Sequence, residues 1–87
     1  MDWNGFDRFL IGLKRPLLLV RGSKGVLACG YLKVESFTKN GDAGAIVTGV
    51  DDFDAMLDAK LVAVSDPAAT LGLQPGMTGR EALEILR

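Results

Sequence analysis

The sequence predicts an α+β domain whose second half has an α/β-like pattern. Val26–Cys29 is an uncharged apolar run, typical of a strand buried on both faces, and after Gly30 the apolar spacing becomes helical over Lys33–Lys39. Short apolar runs then alternate with helical segments to the end of the chain. The first residues instead alternate with period two, which is typical of antiparallel strands. We therefore predict a mixed sheet of about six short strands in the order β-β-β-α-β-α-β-α-α, with an antiparallel N-terminal region.

Three strands are predicted before the first helix. Trp3–Leu13 has apolar residues at alternate positions on one face, and Pro16 ends this run because proline cannot donate to a central ladder. Leu17–Val20 is the second strand. The polar, glycine-containing Arg21–Gly25 forms a hairpin-type turn into the strand Val26–Cys29.

Helices and strands are predicted to alternate in the second half. Gly41 is placed to end the first helix in a left-handed conformation, and Ala45–Val50 is another short buried strand. Asp51 takes the N-cap position of a second helix, which Leu61–Val64 follows as a strand. The connections are long enough for crossovers, so we expect the last three strands to be mutually parallel.

Two short helices are predicted to close the chain. Asp66 is placed as an N-cap, with Pro67 at the first helical position. Thr78 and Glu81 have the spacing of a capping box at the start of the last helix.

The composition favours a single cytoplasmic domain. The 87 residues suffice for one domain, with 1–15 as an N-terminal β region and 16–87 as the core. The net charge of −1 comes from scattered charges, so nucleic acid is not an expected partner. No apolar run is long enough for a membrane span, and the N-terminus lacks a signal-peptide pattern. A single cysteine cannot form an internal disulfide, as expected in a reducing compartment.

The chain contains no histidine, which excludes several kinds of active site. Ser-His-Asp and Cys-His catalysis and the usual zinc and iron ligand sets are absent. Asp51, Asp52 and Asp54 lack the glycine and distal glutamate of a calcium loop, and capping explains two of them. We expect no metal and no cofactor.

Three segments resemble a known family. LLLVRGSKGVLACGYL, GDAGAIVTGVDDFDAMLDAKLVAVS and GLQPGMTGREALEIL are together similar to the YunC-like family of small bacterial and archaeal proteins (domain of unknown function 1805). The likeness covers roughly Pro16–Leu86. It implies the same fold and an N-terminal β region that mediates tetramer formation. It implies no catalytic residue, because the function of the family is not established.

The first candidate site lies at the end of the central strand. Cys29, our candidate catalytic residue, is followed by Gly30 and Tyr31, and Thr48-Gly49 ends the neighbouring strand. In open α/β sheets, ligands bind at this edge. The thiol could be reactive, although a free cysteine is more often a small buried apolar residue.

The second candidate site lies at the start of the last helix. Gly79 leaves backbone amides uncovered, and Arg80 could help them to bind a small anion. The alternative is a purely structural capping box, in which Arg80 pairs with Glu84.

The N-terminal aromatic residues Trp3, Phe6 and Phe9 either fold back onto the core or form a subunit contact, and we favour the contact. Our leading hypothesis is a homo-oligomer, dimer or tetramer, that binds a small molecule or anion near Cys29, Thr48 and Arg80. The alternatives are a thiol-dependent enzyme using Cys29 and a purely structural or adaptor subunit.

Overall fold

One mixed sheet of five strands carries four helices in the computed structural model, which describes every residue from Met1 to Arg87. The strands lie in the sheet in chain order, β1-β2-β3-β4-β5. The elements are β1 (Asp7–Ile11), β2 (Leu17–Arg21), β3 (Val26–Ala28), α1 (Val34–Asn40), β4 (Gly44–Ile46), α2 (Phe53–Asp58), β5 (Ala63–Val64), α3 (Asp66–Thr70) and α4 (Gly79–Leu86). The predicted α+β class is confirmed, with five strands where about six were expected.

The prediction that the last three strands are mutually parallel is wrong. Only β3 and β4 are parallel; the pairs β1–β2, β2–β3 and β4–β5 are all antiparallel. Ser65 fixes this direction. Its N–H donates to the carbonyl of Gly44 and its Oγ accepts from the N–H of Gly44, both at 2.8 Å. The end of β5 is thereby held beside the start of β4, and the connection through α2 returns to the same end of the sheet.

Several strands are shorter than predicted, and the structure gives a separate reason for each. At the N-terminus, Phe6 donates to the carbonyl of Trp3 at 3.0 Å, and β1 begins only after this turn. β4 ends well before Val50, and Gly49 at φ +71° turns the chain away from the sheet. Leu61 lies outside β5 because it bonds to Met77 and Gly76 instead.

Two predicted helix caps are displaced by one residue. Asp52, not Asp51, caps α2 by accepting from the N–H of Ala55 at 2.7 Å. Ser65, not Asp66, caps α3, so Pro67 lies one position later in the first turn. Asp52 lies one residue after the predicted cap and Ser65 one residue before it. Each side chain accepts a hydrogen bond from a backbone N–H in the first turn of its helix, as a cap must. The left-handed Gly41 at the end of α1 and the capping box of α4 are confirmed.

The core lies between the sheet and the pair α2 and α4. The register aligns Val20, Leu27 and Ala45 across three strands on one face, and all three are fully buried. Helical side chains complete this cluster, namely Met56, Leu57, Ala82, Leu83 and Leu86. On the opposite face, the ring of Phe37 from α1 occupies the space beside Gly44. The sheet therefore has helices on both faces.

Two of the N-terminal aromatic residues fold back onto the protein. Trp3 makes edge-to-face contacts with Phe6 and Phe53, each with ring centroids 6.2 Å apart, and the guanidinium of Arg8 stacks over its ring. Trp3 and Phe6 pack against the core, whereas Phe9 on β1 is 42% exposed. Trp3 and Phe6 are partly buried in this contact and Phe9 is exposed; the subunit contact expected for the three residues stays a prediction. None of the four helices is long and apolar enough to cross a membrane.

Candidate functional site

The parallel strands β3 and β4 end side by side, and each is followed by a glycine-containing turn. Cys29-Gly30 follows β3, and Thr48-Gly49 comes shortly after β4. A methyl group added at Gly30 would lie 3.2 Å from Cγ2 of Thr48, so the two turns are in direct contact. The structure therefore places these predicted site residues together at the carboxyl ends of two parallel strands, which is where α/β proteins bind ligands.

A cavity of about 320 Å³ opens between these two turns. This volume is at the lower end of the range found for small-molecule pockets. Its lining combines four residues that the sequence indicated with three that it did not. The lining residues are Arg15, Pro16, Cys29, Gly30, Tyr31, Gly49 and Val50.

Cys29 is held firmly against β2. It lies one residue beyond β3 and is only 4% exposed. Its N–H donates to the carbonyl of Leu18 at 3.1 Å, and its Sγ accepts from the N–H of Leu18 at 3.3 Å. No side chain forms a hydrogen bond with the sulfur, so no general base is in contact with the thiol.

Arg15 and Asp51 form an ion pair at the edge of the cavity. Nε and Nη2 of Arg15 both donate to Oδ1 of Asp51, at 3.1 and 2.7 Å. This hydrogen bond, together with the negative charge of Asp51, raises the pKa of Arg15 above its ordinary value. The backbone N–H of Arg15 also donates to the hydroxyl of Tyr31, at 3.4 Å. The β1–β2 loop is thus joined to both turns of the site.

Sequence reasoning missed this ion pair for a clear reason. The sequence pattern gives Arg15 no role beside Pro16 and predicts Asp51 as a helix cap, and the two residues are 36 positions apart. The one available signal was the pair Asp51-Asp52. A helix start uses only one of two adjacent acidic side chains as its cap, so the other is free to pair with a distant cation.

The predicted anion site at the start of α4 lies apart from the cavity lining. Arg80 is exposed and is not among the lining residues. Glu84, its expected partner, pairs with Arg87 at 3.0 Å instead. Gly79 is buried, and a side chain there would collide with the carbonyl oxygen of Met56. Anion binding at Gly79 and Arg80 stays a prediction, while packing already explains why residue 79 is a glycine.

No group of three or more Cys, Asp or Glu side chains is arranged to hold a metal ion. The polar groups that line the cavity are the guanidinium of Arg15, the phenol of Tyr31, the thiol of Cys29 and the backbone of the two turns. Such groups hold a ligand by hydrogen bonds and ionic contacts.

The fold and the cavity together define a small α+β protein with a pocket at the ends of its two parallel strands. The chain belongs to the family described as domain of unknown function (DUF1805), which matches residues 28–86. This confirms the resemblance seen in the sequence.

Two relatives extend the comparison. The chain is 36% identical over 74 residues to the uncharacterized protein YunC of Bacillus subtilis (strain 168), covering 80% of this chain and 73% of that protein. It also matches the crystal structure of TA1206, a protein of unknown function from Thermoplasma acidophilum. That match has a TM-score of 0.83 and 36% identity, and covers 94% of this chain and 91% of the other.

Proposed function

We propose that the protein is a homo-oligomer that binds a small molecule in the cavity between the Cys29-Gly30 and Thr48-Gly49 turns. The observation that carries this proposal is the cavity itself, at the ends of parallel strands. Gly49 has φ +71°, and apart from its chain neighbours no residue comes within 4 Å of where its side chain would be, so its backbone is open to an approaching ligand. In open α/β sheets, ligands bind at the carboxyl ends of parallel strands, which is where this cavity lies.

The lining favours a ligand with an apolar body and a polar group. Pro16 and Val50 supply apolar surface, and Tyr31, which is 48% exposed, supplies a ring. Arg15 and the Tyr31 hydroxyl supply the polar contacts. A few convergent polar groups on a mainly apolar wall are characteristic of ligand-binding pockets.

A thiol-dependent enzyme is the alternative for the same cavity, because Cys29 is among its lining residues. Two observations favour binding over catalysis. The sulfur is almost completely buried, and its hydrogen-bond partner is a backbone N–H rather than a base. Nucleophilic cysteines are typically paired with a base or placed in an exposed electropositive environment.

The oligomer is proposed to form through β1, with a second copy of the chain as the partner. β1 is an edge strand whose five residues are all exposed. Phe9 and Ile11 lie on one face and Leu10 on the other, with exposures of 42%, 52% and 56%. An edge with unpaired backbone groups and apolar side chains on both faces is suited to antiparallel pairing with its own copy across a two-fold axis.

Ligand binding is tested with a variant of Gly49 that places a side chain in the cavity. Gly49→Asn adds a side chain at a left-handed position that asparagine tolerates, with free space around it. The matched control is Gly41→Asn, which also has a left-handed φ (+79°) and open surroundings but lies outside this cavity.

A library of small fragments is screened by amide chemical-shift changes. We expect fragments that perturb the amides of Gly30, Tyr31 and Gly49 in the parent protein. Gly49→Asn should remove their binding, and Gly41→Asn should leave it unchanged. Fragments that perturb no cavity amide, or that bind both variants equally, would contradict the proposal.

A further inference from the structure

We propose that the ligand of this cavity carries a carboxylate, and that this carboxylate binds Arg15 by taking the place of Asp51. The inference rests on the proposed binding function and specifies the chemical class of the ligand. It is carried by the geometry of the Arg15–Asp51 pair, by the exposure of both groups and by the excess of donors around the cavity.

The guanidinium of Arg15 has donors to spare. It directs Nε and Nη2 to a single oxygen of Asp51, and Nη1 has no partner within the protein. A guanidinium offers five N–H donors in a planar fork that fits both oxygens of a carboxylate. The contact with Asp51 uses only one carboxylate oxygen, so a ligand carboxylate that engages two would form the better pair.

The existing ion pair is also easily exchanged. The side chains of Arg15 and Asp51 are 56% and 69% exposed. Ion pairs at such exposure are weak, because water solvates both partners and salt screens them. Asp51 can therefore return to water at little cost when another anion reaches Arg15.

The remaining polar groups of the cavity also favour an acceptor-rich ligand. The Tyr31 hydroxyl oxygen accepts from the N–H of Arg15, which leaves its own proton free to donate. No Asp or Glu side chain, Asp51 included, is among the lining residues, so the lining itself offers no carboxylate to compete with the ligand.

The protein contains a matched control for this ion pair. Nε and Nη2 of Arg21 both donate to Oδ2 of Asp7, at 3.2 and 2.7 Å, with side-chain exposures of 59% and 62%. Geometry and exposure are almost the same as for Arg15 and Asp51, but this pair does not line the cavity. A variant of Asp7 therefore changes net charge and an exposed ion pair away from the cavity, and because Asp7 belongs to β1 its sedimentation is compared with that of the parent.

The probes are benzoate and benzamide, which have the same shape and differ in charge. Each is titrated into the full chain, and binding is followed at the backbone amides of Gly30, Tyr31 and Gly49. We expect benzoate to bind about tenfold more tightly than benzamide, because charge-assisted pairing with a guanidinium is stronger than neutral hydrogen bonding. Added NaCl should weaken benzoate binding and leave benzamide binding nearly unchanged.

Three variants then test whether benzoate replaces Asp51 at Arg15 or is only attracted by the net charge of the protein. Asp51→Asn frees Arg15 and should tighten benzoate binding several-fold. Arg15→Gln should reduce benzoate binding to the level of benzamide. Asp7→Asn makes the same charge change as Asp51→Asn and should leave binding unchanged. All three positions are exposed, and a well-dispersed amide spectrum establishes that each variant is folded.

Each contrary outcome has a distinct meaning. Equal binding of benzoate and benzamide at the cavity amides overturns the carboxylate assignment and leaves the binding function standing. Weaker benzoate binding in Asp51→Asn shows that Asp51 helps to hold the ligand, and so overturns the exchange. No change at the cavity amides with either probe, together with a negative fragment screen, overturns the binding function as well.

Discussion

Gly79 of α4 lies directly against the carbonyl oxygen of Met56 in α2, with no room for a side chain between the two helices. The N–H of Gly79 also donates to the carbonyl of Ala59 at 2.8 Å. This contact sets the distance between the two helices that cover one face of the sheet. It also explains why α4 begins with glycine, a poor helix former. The close approach of the two backbones requires a residue without a side chain, and this outweighs helix propensity here.

Gly79→Ala is expected to destabilise the protein by about 1–3 kcal/mol, the usual cost of inserting a methylene group into a packed core. The free energy of unfolding is measured by urea denaturation at a fixed protein concentration. Gly12→Ala is the control, because Gly12 has an ordinary φ and no atom within 4 Å of the added methyl. Equal stability of the two variants would show that α2 and α4 can move apart freely.

Ser65→Ala is expected to cost about 1–3 kcal/mol, because it leaves buried backbone groups without partners. Ser65 is 1% exposed, and its Oγ accepts from Gly44 and Ala68 and donates to Asp42. Ser36→Ala replaces an exposed serine on α1 and should change stability by less than about 0.5 kcal/mol. The two midpoints of urea unfolding give the comparison, and matching midpoints would refute the role assigned to Ser65.

Glu81 should make the stability fall in acid. The backbone N–H of Thr78, and then its hydroxyl, hold the pKa of Glu81 below its ordinary value. A carboxyl with a lowered pKa contributes stability above its unfolded value of about 4.3, and this contribution is lost as the pH falls through the folded value. Thermal melts from pH 7 to pH 3 should therefore show a smaller loss of stability in Glu81→Gln than in the parent.

Glu35→Gln is the matched control for this pH series. Glu35 lies in the first turn of α1, where no side-chain cap is present. Its variant should keep the parent's loss of stability in acid. The assignment to the capping box fails if Glu35→Gln and Glu81→Gln flatten the profile equally.

The proposed assembly predicts that β1 variants dissociate. Ile11→Lys places a charge on the exposed edge strand, which is how natural edge strands avoid pairing. At micromolar concentration, sedimentation should show more than one chain for the parent and a lower mass for Ile11→Lys. Val62→Lys is the control, since Val62 is equally exposed (54% against 52%) but lies outside β1. A parent protein that sediments as a single chain would refute the proposed assembly.

The sequence predicted what depends on local spacing. The buried run that leads through Gly30 into a helix, the left-handed Gly41 and the capping box of Thr78 and Glu81 all depend on residues within a few positions of one another. Their side-chain and backbone preferences are enough to specify them.

Features set by distant contacts could not be predicted in the same way. The direction of β5 depends on Ser65 bonding to Gly44, and the edge of the cavity depends on Arg15 bonding to Asp51. Nothing in the local pattern distinguishes these partners from other serines, aspartates and arginines. The cap at Asp52 rather than Asp51 is likewise not visible in the pattern, because it depends on which of two adjacent aspartates has the extended backbone that precedes the helix.

The order of the strands has a consequence for how fast the sheet can form. Each strand pairs with the strand next to it along the chain, and the paired residues Ala45 and Val64 are only 19 positions apart. Short closures cost little chain entropy, so the sheet can grow stepwise from the β1–β2 hairpin. The docking of α4 spans most of the chain, because the N–H of Lys24 bonds to the carbonyl of Leu86. That closure joins the most distant parts of the chain, so we expect it to carry a larger entropy cost than any of the strand pairings.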